Sequence, residues 1–91
     1  MRIRWTPPAV ADMESIGNYL KEHHPHYRQE TMRKLFEKIR DLKIAPYLGR
    51  AGRVQGTREI FFSPMPYVAV YRVHAQSIEV WRIFHTAQDR S

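Results

Sequence analysis

The sequence predicts an α+β fold in which a helical hairpin packs on one face of a small antiparallel sheet, in the order β-α-α-β-β-β. Two segments in the first half have apolar residues three or four positions apart, which is the spacing of amphipathic helices. Three runs in the second half are rich in β-branched and aromatic residues and are separated by turn-length links. Strands joined in this way are expected to pair antiparallel, and the second face of the sheet is left open.

The chain begins with a short strand that leads into the first helix. Residues 2–6 alternate polar and apolar side chains, so Ile3 and Trp5 are expected to face inward. Two prolines then end the strand, and they suit the first turn of a helix for which Thr6 is the expected N-cap. This helix is expected to continue to about His23.

The second helix is expected to run from about His26 to Leu42. Pro25 disfavours helical geometry at His24, and the corner at this point joins two antiparallel helices. Each helix has one apolar stripe that faces the core. The stripe residues are Ala9, Met13, Ile16 and Leu20 in the first helix and Met32, Leu35, Phe36, Ile39 and Leu42 in the second.

A loop rich in glycine and arginine, Gly49–Gly56, separates the helices from the three predicted strands. These strands are Thr57–Phe62, Tyr67–Val73 and Ile78–Phe84. The middle run is apolar almost throughout, as expected of a central strand that is covered on both faces. The tail Thr86–Ser91 is expected to be loosely held.

Length and composition narrow the class of protein. With 91 residues the chain is expected to form one domain, residues 1–91, with a single modest core and one site. A formal net charge of +6 favours a polyanion or an acidic protein as partner. No apolar run has the length of a signal peptide or a membrane span, and the absence of cysteine fits a reducing compartment. A cytoplasmic protein is therefore expected.

The last predicted strand supplies the first candidates for a functional site. Strict alternation along this strand places Arg82 on the uncovered face, where Arg58 and Glu59 of another strand could approach it. His85 follows at the end of the strand, where a rigid element can fix a reactive group that stays accessible. The alternation assigns Ile78, Val80, Arg82 and Phe84 to the uncovered face, and Glu79, Trp81 and Ile83 to the opposite side.

These side chains have the chemistry that RNA cleavage requires. Attack by a 2′-hydroxyl needs a base, an acid for the leaving oxygen, and cations that hold the charge on phosphorus. Histidine titrates near neutral pH, and the planar fork of arginine matches phosphate. Two observations keep other interpretations open: Arg58 and Glu59 point to opposite faces of a strand, and a surface or partner-contacting role also explains His85. The candidate catalytic set is His85, Arg82, Arg58 and Glu59.

The glycine loop carries Arg50 and Arg53, whose guanidinium groups could hold phosphate or RNA or remain solvated. The loop lacks the lysine followed by Ser or Thr that a nucleotide phosphate loop needs. A metal site is not expected either, because His23, His24 and His26 lack the one-face spacing that zinc requires and no cysteine assists. No cofactor and no metal are therefore expected.

Three strings of the chain carry a family resemblance. They are GRAGRVQGTRE at Gly49–Glu59, PYVAVYRV at Pro66–Val73 and IEVWRIFHTAQD at Ile78–Asp89. The first resembles the loop and strand, and the last resembles the final strand, of toxins in the RelE/ParE superfamily of type II toxin–antitoxin systems. With the predicted order of elements, the resemblance spans nearly the whole chain.

The resemblance implies a small toxin encoded with an antitoxin, whose C-terminal segment wraps over the toxin and blocks it. An acidic, amphipathic antitoxin segment would fit the positive charge of this chain. The resemblance also implies one of two targets. RelE-like members cleave messenger RNA in the ribosomal A site, whereas ParE-like members poison DNA gyrase and do not cleave RNA. The fold alone does not decide between these targets.

The chain departs from the best-known ribonuclease pattern at sheet positions that are rich in lysine and arginine in that branch. Here these positions are Arg58, Ile60 and Val68, so only the first is basic. Other ribonuclease members have a histidine where His85 lies, and ParE-like sequences often have one too. The presence of His85 therefore does not separate the two branches.

Three functional hypotheses follow from these residues. The leading hypothesis is an endoribonuclease toxin that cleaves ribosome-bound messenger RNA, with His85 as acid and base and with Arg58 and Arg82 stabilising the phosphate. The alternative is a ParE-like, non-enzymatic inhibitor of DNA gyrase that is neutralised by a cognate antitoxin and uses the same positive surface for both partners. A degenerate toxin that serves only as corepressor with its antitoxin is the third hypothesis.

Overall fold

The computed structural model describes residues 1–87 of the chain. From residue 88 onward, the tail that was expected to be loosely held lies outside the described residues. No helix within residues 1–87 is long and apolar enough to cross a membrane. In the same range the helices are α1 (Pro7–His23) and α2 (Pro25–Asp41), and the strands are β1 (Arg2–Trp5), β2 (Arg50–Ala51), β3 (Arg58–Phe61), β4 (Tyr67–Val73) and β5 (Ser77–His85).

The strands form one sheet with the order β1-β5-β4-β3-β2. The predicted α+β class, with two helices packed on a small sheet, is confirmed. The expectation of a purely antiparallel sheet is wrong at one edge, because β1 pairs parallel with β5. Turn signals describe strands that follow each other in the chain, whereas these two strands come from its opposite ends. The predicted loop Gly49–Gly56 also contains a further strand, the two-residue β2.

The core lies between the helices and the sheet face that they cover. Both predicted helix stripes contribute buried side chains, among them Ala9 and Leu35 at 0% exposed and Ile39 at 1%. Phe36 departs from the prediction, because its side chain is 49% exposed. It packs beside Trp5, with the ring centroids 5.7 Å apart, at the outer margin of the core. The helical hairpin therefore covers one sheet face but leaves part of its second stripe uncovered.

Strand β4 is central and is buried on both faces, as its apolar sequence predicts. Residues 67–71 are each at most 8% exposed. Tyr67, Ala69 and Tyr71 belong to the core beneath the helices. Val68 and Val70 alternate with them and therefore point to the other face, which no helix covers. That face is called the open face below.

Thr6 joins the start of α1 to β5. Its hydroxyl oxygen accepts a hydrogen bond from the amide of Ala9 at 3.2 Å, so the predicted N-cap is confirmed. The same hydroxyl donates to the carbonyl oxygen of Trp81 at 2.8 Å. The backbone amide of Thr6 donates to the carbonyl of Val80 at 3.1 Å. One residue thus satisfies a free amide of the helix end and two carbonyls of the neighbouring strand.

A β-bulge lies where Thr6 contacts β5. Val70 pairs with Arg82 but Tyr71 pairs with Val80, so Trp81 is an extra residue on the β5 side. An extra residue reverses the alternation of all side chains that follow it. Before the bulge, the even-numbered residues of β5 therefore face the helices, and after it the odd-numbered residues do.

The bulge explains which side-chain predictions for β5 were correct. Ile78 and Val80, predicted for the uncovered face, belong to the core instead, and Trp81, predicted for the helix side, lies on the open face. Beyond the bulge, the predicted placement of Ile83 in the core is correct, and Phe84 pairs with Val68 of the open face as expected. Strict alternation cannot anticipate an inserted residue.

Replacing Thr6 with valine keeps the β-branched shape but removes the hydroxyl that bridges the helix and the bulge. The Ala9 amide and the Trp81 carbonyl both lose a partner, so we expect the free energy of unfolding to fall by about 1–3 kcal/mol. Urea unfolding followed by circular dichroism measures the change. Thr6→Ser, which keeps the hydroxyl, is the control, and an equal loss in both variants would contradict the bridging role.

Candidate functional site

The four predicted catalytic side chains do not converge on one point. Arg58 pairs with Tyr71 of β4, whereas His85 pairs with Tyr67 of the same strand. These two partners are four residues apart, which corresponds to about 13 Å along a strand. Arg58 and His85 also lie on opposite sides of β4, because β3 and β5 flank it. The structure therefore separates the predicted base from one of its predicted phosphate ligands.

Arg82 lies on the open face, as predicted, but it is engaged by α1. Its Nε and Nη2 atoms donate to the carboxylate of Asp12 at 2.7 and 2.9 Å. This bond to Asp12 raises the pKa of the guanidinium above its already high ordinary value. The Arg82 Cζ atom also lies 4.8 Å from the centroid of the Phe84 ring. The predicted role of Arg82 as a phosphate ligand competes with this ion pair.

Arg58 and Glu59 point to opposite sides of β3, as their adjacency predicts. The Arg58 Nη1 atom donates to the carbonyl of Gly49 at 2.7 Å, and its Cζ atom lies 4.8 Å from the centroid of the Tyr47 ring. Glu59 is 4% exposed, and its carboxylate accepts a hydrogen bond from the backbone amide of Arg53 at 3.2 Å. Both side chains thus hold the glycine loop against the sheet.

His85 lies at the wall of a groove on the helix side of the sheet. Its ring meets the ring of Tyr67 edge-on at 5.7 Å, and its Nδ1 atom accepts a hydrogen bond from the amide of Ala87 at 3.1 Å. The groove has a volume of about 650 Å³ between the two helices, the turn before β4 and the end of β5. Its lining includes Asp12, Tyr19, His24, Tyr27, Tyr67 and His85.

The glycine loop is fixed by a buried tyrosine. The hydroxyl of Tyr71 accepts a hydrogen bond from the amide of Gly49 at 2.9 Å and donates to the carbonyl of Pro46 at 2.8 Å. Burial raises the pKa of this phenol. A Cβ atom at position 49 would lie 2.8 Å from this hydroxyl oxygen and 2.8 Å from the carbonyl oxygen of Glu59, so only glycine fits. This close approach sets the start of β2, where Arg50 lies.

Three arginines on the open face each lie over an aromatic ring. Their Cζ atoms are 4.7–4.8 Å from the ring centroids, which is the range of cation–π contacts. The strand register places these pairs on the same face as Val68 and Val70. The pairs are Arg50 with Phe61, Arg72 with Trp81, and Arg82 with Phe84.

Strand β1 adds two more arginines to the open face. Arg2 pairs with Ser77 and Arg4 pairs with Glu79, while Ile3 and Trp5 between and after them pack against the core. Both arginines are exposed. The predicted phosphate ligand Arg50 lies on this face as well, and Arg53 is exposed in the adjoining loop. Sequence reasoning missed the contribution of Arg2 and Arg4, although their alternation with two apolar residues was visible.

Lysine is confined to the helical layer of the fold, whereas arginine occurs in both layers. All four lysines of the chain lie on the helices or directly after α2, at Lys21, Lys34, Lys38 and Lys43. The positive charge of the described strands therefore comes from arginine, whose planar group stacks on rings as an ammonium group cannot. No three His, Asp or Glu side chains within residues 1–87 come close enough to hold a metal ion.

The sequence matches a known family over almost its whole length. A family model described as the ParE toxin of the type II toxin–antitoxin system parDE matches residues 3–90. The chain belongs to the ParE toxin family. This ParE-family toxin is also 30% identical over 87 residues to the toxin candidate Y4kP of Sinorhizobium fredii, a match that covers 96% of this chain and 90% of the relative. The predicted membership of the RelE/ParE superfamily is thereby confirmed.

Solved structures agree with this assignment. A structure of the chromosomal ParDE toxin–antitoxin system from P. aeruginosa is 27% identical, with a TM-score of 0.81, and the match covers 93% of this chain and 95% of that one. YafQ from E. coli shares the fold at 17% identity, with a TM-score of 0.65 and coverage of 96% of both chains. This ParE-family chain is therefore a toxin of a type II toxin–antitoxin system.

The carboxylate of Glu79 on the open face offers a direct test of this geometry. Glu79 accepts hydrogen bonds from the indole nitrogen of Trp81 at 2.8 Å and pairs with His74 at 3.2 Å. The bond from Trp81 first, and the contact with His74 second, hold the pKa of the Glu79 carboxyl below its ordinary value of 4.5. Trp81→Phe removes the indole donor, so we expect the pKa of Glu79 to rise toward 4.5.

A carboxyl whose pKa is lowered by folding adds stability above its unfolded-state pKa, and this stability is lost as the pH falls through the folded-state pKa. The stability difference between wild type and Trp81→Phe should therefore be larger near neutral pH than in acid, where the contribution of the Glu79 carboxylate is lost. An NMR titration of the Glu79 carboxyl measures its pKa. Urea unfolding near neutral pH and in acid measures the free energy of unfolding of each protein. Trp5→Phe is the control because Trp5 lies on the core side, and an unchanged Glu79 pKa in Trp81→Phe would refute the contact.

Proposed function

We propose that this ParE-family toxin is a non-enzymatic inhibitor of DNA gyrase that a cognate antitoxin neutralises. The whole chain would act as one toxin domain in the cytoplasm. This proposal reverses the order of the hypotheses drawn from the sequence, in which cleavage of ribosome-bound messenger RNA came first.

The observation that carries the proposal is the separation of the predicted catalytic side chains. A general base and a phosphate ligand must both come within about 3 Å of groups on one reacting phosphate. Arg58 is bound to Gly49 and stacks on Tyr47 at one side of the sheet. His85 lies in the groove by Tyr67 on the other side of β4. This arrangement disfavours a shared reaction centre for RNA cleavage.

Family membership supports the same conclusion. The matched family is that of ParE toxins, and the resemblance to the ParE-like branch implies a toxin that poisons gyrase and does not cleave RNA. The sequence also lacks basic residues at sheet positions where the ribonuclease branch has them. Ile60 and Val68, which occupy two of these positions, are buried apolar residues here, and this supports a function other than RNA cleavage. An inhibitor that acts through a protein interface needs no proton transfer, so the separation of His85 from Arg58 is no obstacle.

Two grooves suit an antitoxin segment that is acidic and amphipathic. The groove beside His85 combines tyrosine rings with the imidazoles of His24 and His85, and its volume is about 650 Å³. A second groove of about 470 Å³ runs along the helical hairpin and has an apolar lining. An amphipathic helix binds such grooves through its apolar face. The lining of the second groove includes Trp5, Val10, Met13, Met32 and Phe36.

Two assays with the purified toxin test the proposed target. We expect the toxin to inhibit supercoiling by gyrase and to produce gyrase-dependent DNA breaks. Primer extension on translating ribosomes should show no new cuts within codons. His85→Gln should still inhibit gyrase, because that inhibition requires no acid or base catalysis. Codon-specific cuts that disappear in His85→Gln, together with unaffected gyrase, would overturn the proposal in favour of RNA cleavage.

A further inference from the structure

We infer that the open face binds the phosphate backbone of duplex DNA. The inference rests on the proposed action on gyrase, whose substrate is duplex DNA. It assigns a partner to the open face. The arginines of the open face and their aromatic partners form the binding surface.

The open face concentrates positive charge from four of the strands within residues 1–87. The acidic groups nearest to it are occupied: Glu59 is 4% exposed, and Glu79 is bonded to Trp81 and His74. Asp12 at the margin is bound by Arg82. The arginines on the face are Arg2 and Arg4 on β1, Arg50 on β2, Arg72 on β4 and Arg82 on β5.

Stacking prepares Arg50 and Arg72 for phosphate, whereas Arg82 is held by Asp12, and it withdraws the rings from other uses. A guanidinium held over a ring loses less conformational freedom on binding, and the nitrogens at its rim can still donate to phosphate oxygens. The rings of Phe61, Trp81 and Phe84 are each covered by an arginine. Proteins that bind single strands use such rings as platforms for unstacked bases, and these covered rings do not offer that platform. A duplex, whose bases are already stacked, fits this surface better.

The sheet is wide enough to span a groove of duplex DNA. Arg50 on β2 and Arg4 on β1 are separated by four strand spacings, or about 19 Å. The major groove of duplex DNA is about 12 Å wide, so arginines at the two sides of the face can reach phosphates on both borders of a groove. Contacts of this kind carry no sequence information. Binding is therefore independent of sequence and strongly dependent on salt.

The test compares two sets of substitutions with the same change in charge. The first set is Arg2→Gln, Arg4→Gln and Arg50→Gln on the open face, where all three side chains are exposed. The matched control is Lys21→Gln, Lys34→Gln and Lys43→Gln, which are exposed positions on or after the helices. The probe is a fluorescein-labelled duplex of mixed sequence and roughly 24 base pairs, followed by anisotropy over a range of KCl concentrations.

We expect the arginine set to weaken duplex binding by about tenfold or more at moderate salt, and to reduce the slope of log K against log salt by about 2–3. The lysine set should change affinity by about twofold at most, because its charges face away from the DNA. Equal losses in the two sets would overturn the inference, since only net charge would then matter. Tighter binding of a single-stranded RNA of the same length would overturn it as well. Thermal unfolding of each variant checks that the fold is retained.

The gyrase assays separate this inference from the proposed function. Duplex binding through the arginines without any inhibition of gyrase would refute the proposed target and leave the DNA-binding face supported. The wild type could instead inhibit gyrase while the arginine set leaves duplex binding unaffected. This result would support gyrase as the target and refute DNA binding by the open face. The inference further requires that the arginine set inhibit gyrase less than the lysine set does.

Discussion

The junction between Thr6 and the bulge of β5 is the constraint on which the placement of the functional side chains depends. The Thr6 hydroxyl caps α1 and also holds the carbonyl of the bulge residue, Trp81. This bond fixes the point at which β5 reverses its alternation. Upstream of it, Ile78 and Val80 fill the core, and downstream of it Ile83 does so. The start of the first helix therefore decides which face the last strand offers to solvent.

The layer of arginines and aromatic rings substitutes for a second helical layer. A sheet with helices on one face usually alternates apolar and polar residues, but β4 is apolar on both faces. Val68 lies between Phe61 and Phe84 in the strand register, and Val70 lies between Glu59 and Arg82. These neighbours bury both valines while the guanidinium groups remain at the surface. Stability and surface charge thus come from the same stacked pairs.

Local patterns in the sequence were sufficient to predict the helices and the main strands, but not the arrangement of the candidate site. The helix stripes, the cap at Thr6 and the central position of β4 all depend on residues that are close in the chain or on runs of one character. The parallel pairing of β1 with β5 joins residues more than 70 positions apart, and no local pattern encodes it. The same holds for the bond from Arg82 to Asp12, which engages one of the predicted catalytic cations. The predicted gathering of His85 with Arg58 failed because strand order, which alternation does not reveal, puts β4 between them.

The carboxylate of Asp12 has one more effect, on the exposed edge of the sheet. Strand β1 covers only residues 77–80 of β5, and the Asp12 oxygen accepts the amide of Ile83 at 2.9 Å just beyond that point. The opposite edge is the two-residue β2, which is too short to template a neighbour. A flat sheet with unpaired amides invites copies of itself to add as further strands and aggregate. A strand that added to β5 beyond β1 would first have to displace a carboxylate that is also held by the Arg82 guanidinium, so this stretch of the sheet edge is protected.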